Sequence, residues 1–204
     1  VTNPPIDPFR EKVVMSLQCP IGPEANILQP SAEQVHRLWL KHPVLSIPDL
    51  DVFKQVSHRG WTSHVIDITF PVENGIEGFS KKLQEICNEA DEAAKNNQII
   101  ILSDRLASKE RVPISSLLAL GATHHHLIET RRRMKVALVV ESAEAREVHH
   151  ICILLGYGAD AICPYLALEL ASSLRDQGIL DTTLTDENIF QNYAQAMQTG
   201  TDRI

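Results

Sequence analysis

The chain lacks any apolar run approaching the ~20 residues that a transmembrane helix needs. Its N-terminus, VTNPPIDPFREKVV, lacks the basic and apolar regions of a signal peptide. It lacks paired cysteines: Cys19, Cys87, Cys152 and Cys163 are widely scattered, with no CxxC. Structural zinc or an iron–sulfur cluster is therefore unsupported, and three of the four sit in apolar segments as small core residues. A reducing, cytosol-like compartment fits that usage. Positive charge is in deficit. With 19 Lys and Arg against 26 Asp and Glu, the net charge is −7, which argues against a nucleic-acid groove or an anionic membrane surface as partner. No glycine-rich phosphate loop of the GxGxxG or GxxxxGK[ST] kind occurs. Position 1 is Val, so the chain has no N-terminal Cys, Ser or Thr nucleophile.

What is present is enough for one large domain. A chain of 204 residues with 44% apolar composition can bury a sizeable core. Residues 1–48 are rich in proline (Pro4, Pro5, Pro8, Pro20, Pro23, Pro30, Pro43, Pro48). Proline removes amide donors and disfavours helix in the residue before it. This stretch is expected to be extended and draped over a neighbour, with only short helices. One such helix is expected at SAEQVHRLWL, where Ser31 can cap and Val35, Leu38 and Trp39 form an apolar stripe.

Residues 49–204 change rhythm. VIDITF alternates and reads as a strand. GIEGFSKKLQEICNEADEAAK repeats apolar residues at three and four (Ile76, Phe79, Leu83, Ile86, Cys87, Ala90) and reads as an amphipathic helix. QIIILSD, KVALVVES and DAIC are apolar runs expected of strands buried on both faces. Between and after them ISSLLALGATHHHLIET, AEAREVHHICILLGYG and YLALELASSLRDQG read as helices, with Gly158 as a helix stop. TLTDENIFQNYAQAMQTG is one more helix, capped by Thr185 or Asp186 and ended by Gly200. The alternation predicts an α/β fold with a parallel sheet. About four βα units are visible, whereas a complete (β/α)8 barrel needs ~250 residues. The expectation is a partial barrel-like parallel sheet with flanking helices, or an open sheet.

Function in such folds collects at the C-terminal ends of strands. Those ends are Asp67 to Pro71, Ser103-Asp104-Arg105, Glu141-Ser142 and Pro164-Tyr165. Ser142 is also a natural N-cap, and Glu144 in a first helical turn would favour the helix dipole. The segment ESAEAREVHH (141–150) is the most charged stretch near these ends. On a helix, Val148, Ile151, Cys152 and Leu155 form the buried stripe, His149 flanks it, and His150 lies nearly opposite, close to Arg146. Adjacent histidines cannot supply the one-turn spacing of HExxH. Glu147 and His150 make E-x-x-H, but the second motif of a di-iron site is missing. In His124-His125-His126, only His124 falls on the face marked by Leu117, Leu120, Leu127 and Ile128, as a hydrogen-bonded core residue would.

Seven blocks together carry a resemblance: VTNPPIDPFRE (1–11), GPEANIL (22–28), VIDITFP (65–71), ILSDR (101–105), PISSLLALGATHHHLI (113–128), VALVVESAEAREVHHICILLGYGADAICPYLALE (136–169) and NYAQAMQTG (192–200). The chain resembles the central domain of the glutamate synthase large subunit over nearly its whole length. The resemblance implies a parent enzyme that makes glutamate from glutamine and 2-oxoglutarate. It implies an amidotransferase domain before this one and an FMN-binding (β/α)8 synthase domain after it, with a 3Fe–4S cluster and FAD with NAD(P)H, or ferredoxin, as electron source. The central domain of the family is similar to a reduced barrel and binds no cofactor itself. The ending TDRI stands where the family has a basic, Met-containing stretch, and the cluster cysteines are absent. No catalytic residue of the family carries over, so the chain is expected to be an excised piece of the enzyme, or a truncated product, without synthase or glutaminase activity of its own. Its compartment would be cytoplasmic, or the plastid for a plant form.

Two functions follow as expectations. The first is a scaffold between the two catalytic domains, with an interdomain surface formed by Asp104, Arg105, Glu141, Glu144, Arg146 and His150. The second is a free-standing barrel-like enzyme, with Asp104, Arg105, Glu141 and His149 around a small anionic substrate and Arg105 as clamp.

Overall fold

The computed structural model describes residues 15–57 and 59–202. The prolines at 4, 5 and 8 and the terminal Arg203-Ile204 lie outside the described residues.

The apolar runs form the centre of the fold. Strands β5 (Ile99–Ser103) and β7 (Ala137–Glu141) are buried at every position. Flanked by β3 (Ser63–Asp67) and β8 (Ala161–Cys163), they make one parallel sheet in the order β3-β5-β7-β8. The register sets Asp67 beside Ser103, Ser103 beside Glu141, and Glu141 beside Cys163. Every strand thus ends its pairing on a polar or thiol side chain in one row. Such parallel strands need a crossover, and helices supply it. The helices are α2 (Gly75–Ala93), α3 (Ser116–Glu129) and α4 (Val148–Gly156), with α5 (Tyr165–Asp176) and α6 (Asp186–Thr201) following β8.

Strand alternation divides the core in two. Ile66, Ile100, Leu102, Leu138, Val140 and Ile162 face one way and pack with Ile86, Leu120, Leu127, Ile151 and Phe190 of the helices. Ile99, Ile101, Ala137, Val139, Ala161 and Cys163 face the other way, where Ile21, Leu45, Leu50, Phe53 and Trp61 cover them. This second cover comes from the segment before β3. It carries a hairpin of β1 (Cys19–Ile21) and β2 (Leu38–Leu40), and helix α1 (Ile47–Lys54). Ser46 and Asp49 close a capping box at the start of α1, with Pro48 in its first turn, so this helix runs across position 48. Before it, the amide of Leu45 donates to the Ile162 carbonyl at 2.8 Å and the Ile162 amide to that of Pro43 at 2.8 Å, extending the sheet edge beside β8. The parallel sheet flanked by helices is as expected. It is an open four-stranded sheet in which β3 and β8 are the end strands.

Four local expectations change. SAEQVHRLWL is not a helix: a single 3₁₀ turn at Ala32–Val35 precedes β2, which pairs antiparallel with β1. Three apolar residues at helical spacing did not outweigh a strand partner that satisfies Leu38–Leu40 backbone groups. VIDITF breaks after Asp67, and β4 (Thr69–Pro71) leaves the sheet to pair with β6 (Arg111–Pro113). Helix α4 begins only at Val148, so Ser142 is not its N-cap and Glu144 is not in its first turn. Gly200 lies inside α6, where a Cβ would overlap the Val148 side chain; it is a close-packing glycine and not a stop. Gly158 does end α4, at φ 107°, a conformation that favours glycine.

Candidate functional site

The row of strand ends is the site's floor. Glu141 ends β7 with only 2% of its surface exposed. A lone carboxylate cannot stay charged there without partners. It has two: Lys54 Nζ from the end of α1 donates to Oε1 at 2.9 Å, and Ser103 Oγ from β5 donates to Oε2 at 2.6 Å. Asp104, one residue past β5, is 1% exposed. Its Oδ2 accepts the Ala143 amide at 2.8 Å, which ties the β5 and β7 loops together. Burial raises the Asp104 carboxyl above the usual aspartate range; the Ala143 amide and then the Tyr165 hydroxyl oppose this, and the charges of Glu144 and Glu141 add to it. Cys163, at the end of β8 beside Glu141, is pushed up to about 12, first by burial and then by the Glu141 charge. That thiol is inert as a nucleophile at neutral pH.

Arg105 is the exposed rim of this cluster. Its guanidinium stacks over the Tyr165 ring at 4.2 Å from the centroid, and Nη2 donates to Glu169 Oε1 at 2.6 Å. Tyr165 and Glu169 are one turn apart on α5, so one helix face supplies both the platform and the counter-charge. The Tyr165 phenol is raised, mainly by burial and then by the Asp104 charge.

A second group lies beside the first, around the loop 142–147. Glu144 is exposed, yet its Oε2 accepts the Ser116 amide at 2.7 Å and the Ser115 hydroxyl at 3.1 Å. It therefore caps α3. Ser116 and Ser142 hydroxyls meet at 2.7 Å beneath it. Arg146 is exposed, and its amide donates to His150 Nδ1 at 3.2 Å; His150 Nε2 faces Glu147 Oε1 at 3.5 Å. Ser115, Ser142, Glu144, Arg146 and His150 share a cleft of about 330 Å³ between α3 and α4.

The six residues singled out from sequence thus divide. Asp104, Arg105 and Glu141 come together in the first cluster, and Glu144, Arg146 and His150 in the second. Asp104 and Glu141 lie inside the fold, where they support a surface and are not part of it. His149 is exposed and does not line the cleft. His124 is half-buried as a structural residue: Nδ1 accepts from Arg133 Nε at 3.0 Å, and Arg133 also binds Asp160 and the Val136 and Gly158 carbonyls. Sequence reasoning missed Lys54 and Glu169. The signal for Glu169 is the Y-x-x-x-E spacing, which sets it on one helix face with Tyr165. Nothing local pointed to Lys54, which lies 87 positions from Glu141.

Fold and site together define a parallel α/β domain whose strand-end groups are tied to one another. The chain belongs to the family described as the glutamate synthase central domain, whose model matches residues 1–204. It is similar to three enzymes in particular. It is 46% identical over 98% of its length to a glutamate synthase [NADH] of Schizosaccharomyces pombe, of which it spans 10%. It is 38% identical over 100% of its length to the glutamate synthase [NADPH] large chain of Bacillus subtilis, of which it spans 13%. It is 39% identical over 98% of its length to the chloroplastic ferredoxin-dependent glutamate synthase of Spinacia oleracea, again spanning 13%. The chain therefore spans about a tenth of the length of the relatives it matches. No helix among the described residues is long and apolar enough to cross a membrane.

Proposed function

We propose that this domain is a scaffold in a glutamate synthase, holding the amidotransferase and FMN-dependent parts of the parent chain in register. One observation carries the reading. At the strand ends, where a (β/α) enzyme keeps open groups for its substrate, the ionisable side chains are bound to each other: Glu141 to Lys54, and Arg105 to Glu169. The side that meets a neighbour is, in this reading, the partly exposed rim of Glu144, Arg146 and His150, with Arg105 held beside it by Glu169. In this reading FMN, the iron–sulfur cluster and the electron donor's site belong to other parts of the parent.

The purified chain is expected to form no glutamate from glutamine and 2-oxoglutarate with reduced FMN supplied. Turnover above the uncatalysed rate would sink the scaffold reading. In the full-length parent, Arg146→Glu is expected to loosen the ratio of glutamine consumed to glutamate formed. An unchanged ratio would remove the rim from the interface.

A further inference from the structure

We infer that the cavity between α1, α5 and α6 is a binding site for an organic amine, an apolar body that carries a protonated ammonium group. The inference goes beyond the scaffold reading and does not depend on it. The cavity holds about 420 Å³, the size of a small-molecule site. It lies apart from the strand-end clusters except at Glu169, which it shares with Arg105.

The floor sets the body of the guest. Ile47 at the start of α1, Leu168 of α5, and Ile189 and Phe190 of α6 line one concavity. Leu168, Ile189 and Phe190 are only 6%, 7% and 8% exposed. They are core side chains reached through an opening, and not a solvated patch. Covering them with an apolar group removes the remaining area from water.

The rim sets the charge. Glu169, Asp176, Asp186 and Glu187 stand around the cavity, and no Lys, Arg or His lines it. Arg105 pairs with Glu169 at 2.6 Å; Arg175 pairs with Asp176 at 2.9 Å and with Asp186 at 2.6 Å. Two arginines thus answer four carboxylates, which leaves negative charge at the mouth. The serine hydroxyls on the wall are already engaged: Ser46 donates to Asp49, Ser172 donates to Asp186, and Ser173 accepts from Gln177. What remains is carboxylate oxygen, which only accepts. An ammonium brings three donors, no acceptor and the opposite charge. A carboxylate or phosphate guest would meet like charge around the rim.

Helix electrostatics accounts for part of this rim only. Asp186 and Glu187 stand in the first turn of α6, where the helix dipole favours acids. Asp176 is the last residue of α5, where the dipole disfavours one. Its carboxylate is placed against the local preference, at the mouth of an apolar cavity.

The test is photolabelling of the full-length parent with a phenethylamine that carries a diazirine on its ring, the labelled peptides being mapped by mass spectrometry. Label is expected on Tyr165–Asp176 and on Asp186–Thr201. Unmodified phenethylamine in excess should suppress it. The anion 3-phenylpropionate, with the same apolar body, should leave it in place. Label absent from both helices, or suppressed equally by the two competitors, would overturn the inference. Asp176→Asn combined with Glu187→Gln takes two exposed charges off the rim. The probe concentration for half-maximal labelling is then expected to rise about tenfold, the combined worth of two such charges. An unchanged concentration would equally overturn it. An unchanged melting temperature of this variant is the check that the fold is intact.

Discussion

Glu144 caps a helix to which it does not belong: its carboxylate accepts the Ser116 amide at 2.7 Å, from a loop 28 positions along the chain. The acidic residue at the second strand-end loop thereby satisfies the first turn of α3, which follows the loop of β5. The two βα units are tied at their functional end by one side chain.

Removing that tie has a defined cost. Glu144→Ala is expected to lower stability by about 1 kcal/mol, the usual worth of a lost N-cap. Glu144→Gln keeps an acceptor and should retain part of it. Urea unfolding of both variants checks the order, and equal losses would assign the effect to the charge alone.

Glu141→Ala leaves Lys54 and Ser103 facing an apolar gap. Breaking a buried pair costs about 3 kcal/mol. Lys54 keeps 26% of its side chain exposed and can turn to water, so the loss should fall at or below that figure. A double-mutant cycle with Lys54→Met should recover part of it. Strict additivity of the two changes would refute a direct pair.

Gly158→Ala meets two obstacles, the positive φ and the His124 ring that a Cβ would overlap. A loss of about 2 kcal/mol is expected, within the range for strained backbone. His124→Ala removes the overlap and leaves the φ penalty. The double variant should therefore recover only part of the loss in a thermal melt.

Asp104 sets a pH dependence. Its folded pKa is raised above the unfolded value of about 3.8. Its contribution is full below the unfolded pKa and is lost as pH rises through the folded pKa. Asp104→Asn keeps an acceptor for the Ala143 amide and cannot ionise. The stability difference between this variant and the parent sequence should move in the variant's favour as pH rises from 4 to 7. A difference flat across that range would show that Asp104 does not titrate differently in the fold.

His124 runs the opposite way. Burial, and then the Arg133 charge, hold its pKa below the usual histidine value of 6.5. The stability it contributes is present above that value and lost as pH falls through the folded pKa. His124→Gln should flatten the acid side of the stability profile, and an unaltered profile would contradict the placement of Arg133 against this ring.

Much of the architecture was legible because period and burial agree. QIIILSD and KVALVVES are short, β-branched apolar runs between helical patterns, the form a strand covered on both faces takes. The polar character of the strand ends was legible too, and ladder register in parallel βα units sets Ser103, Glu141 and Cys163 in one row. It misread SAEQVHRLWL and the start of α4. In the first, apolar spacing fits either period over so few residues, and a distant strand decided the outcome. In the second, Glu144 and Ser142 found partners on α3 and not on their own helix.

The sequence by itself determined family membership, the parallel βα order and the polar character of the strand ends, all properties of local pattern and of one continuous match. Tertiary structure alone decided which ends are open. Lys54, from α1 in the segment before β3, closes Glu141, and Glu169 closes Arg105. A charge buried by folding needs a counter-charge within hydrogen-bond reach, and chain topology, not chain position, determines which residue arrives there.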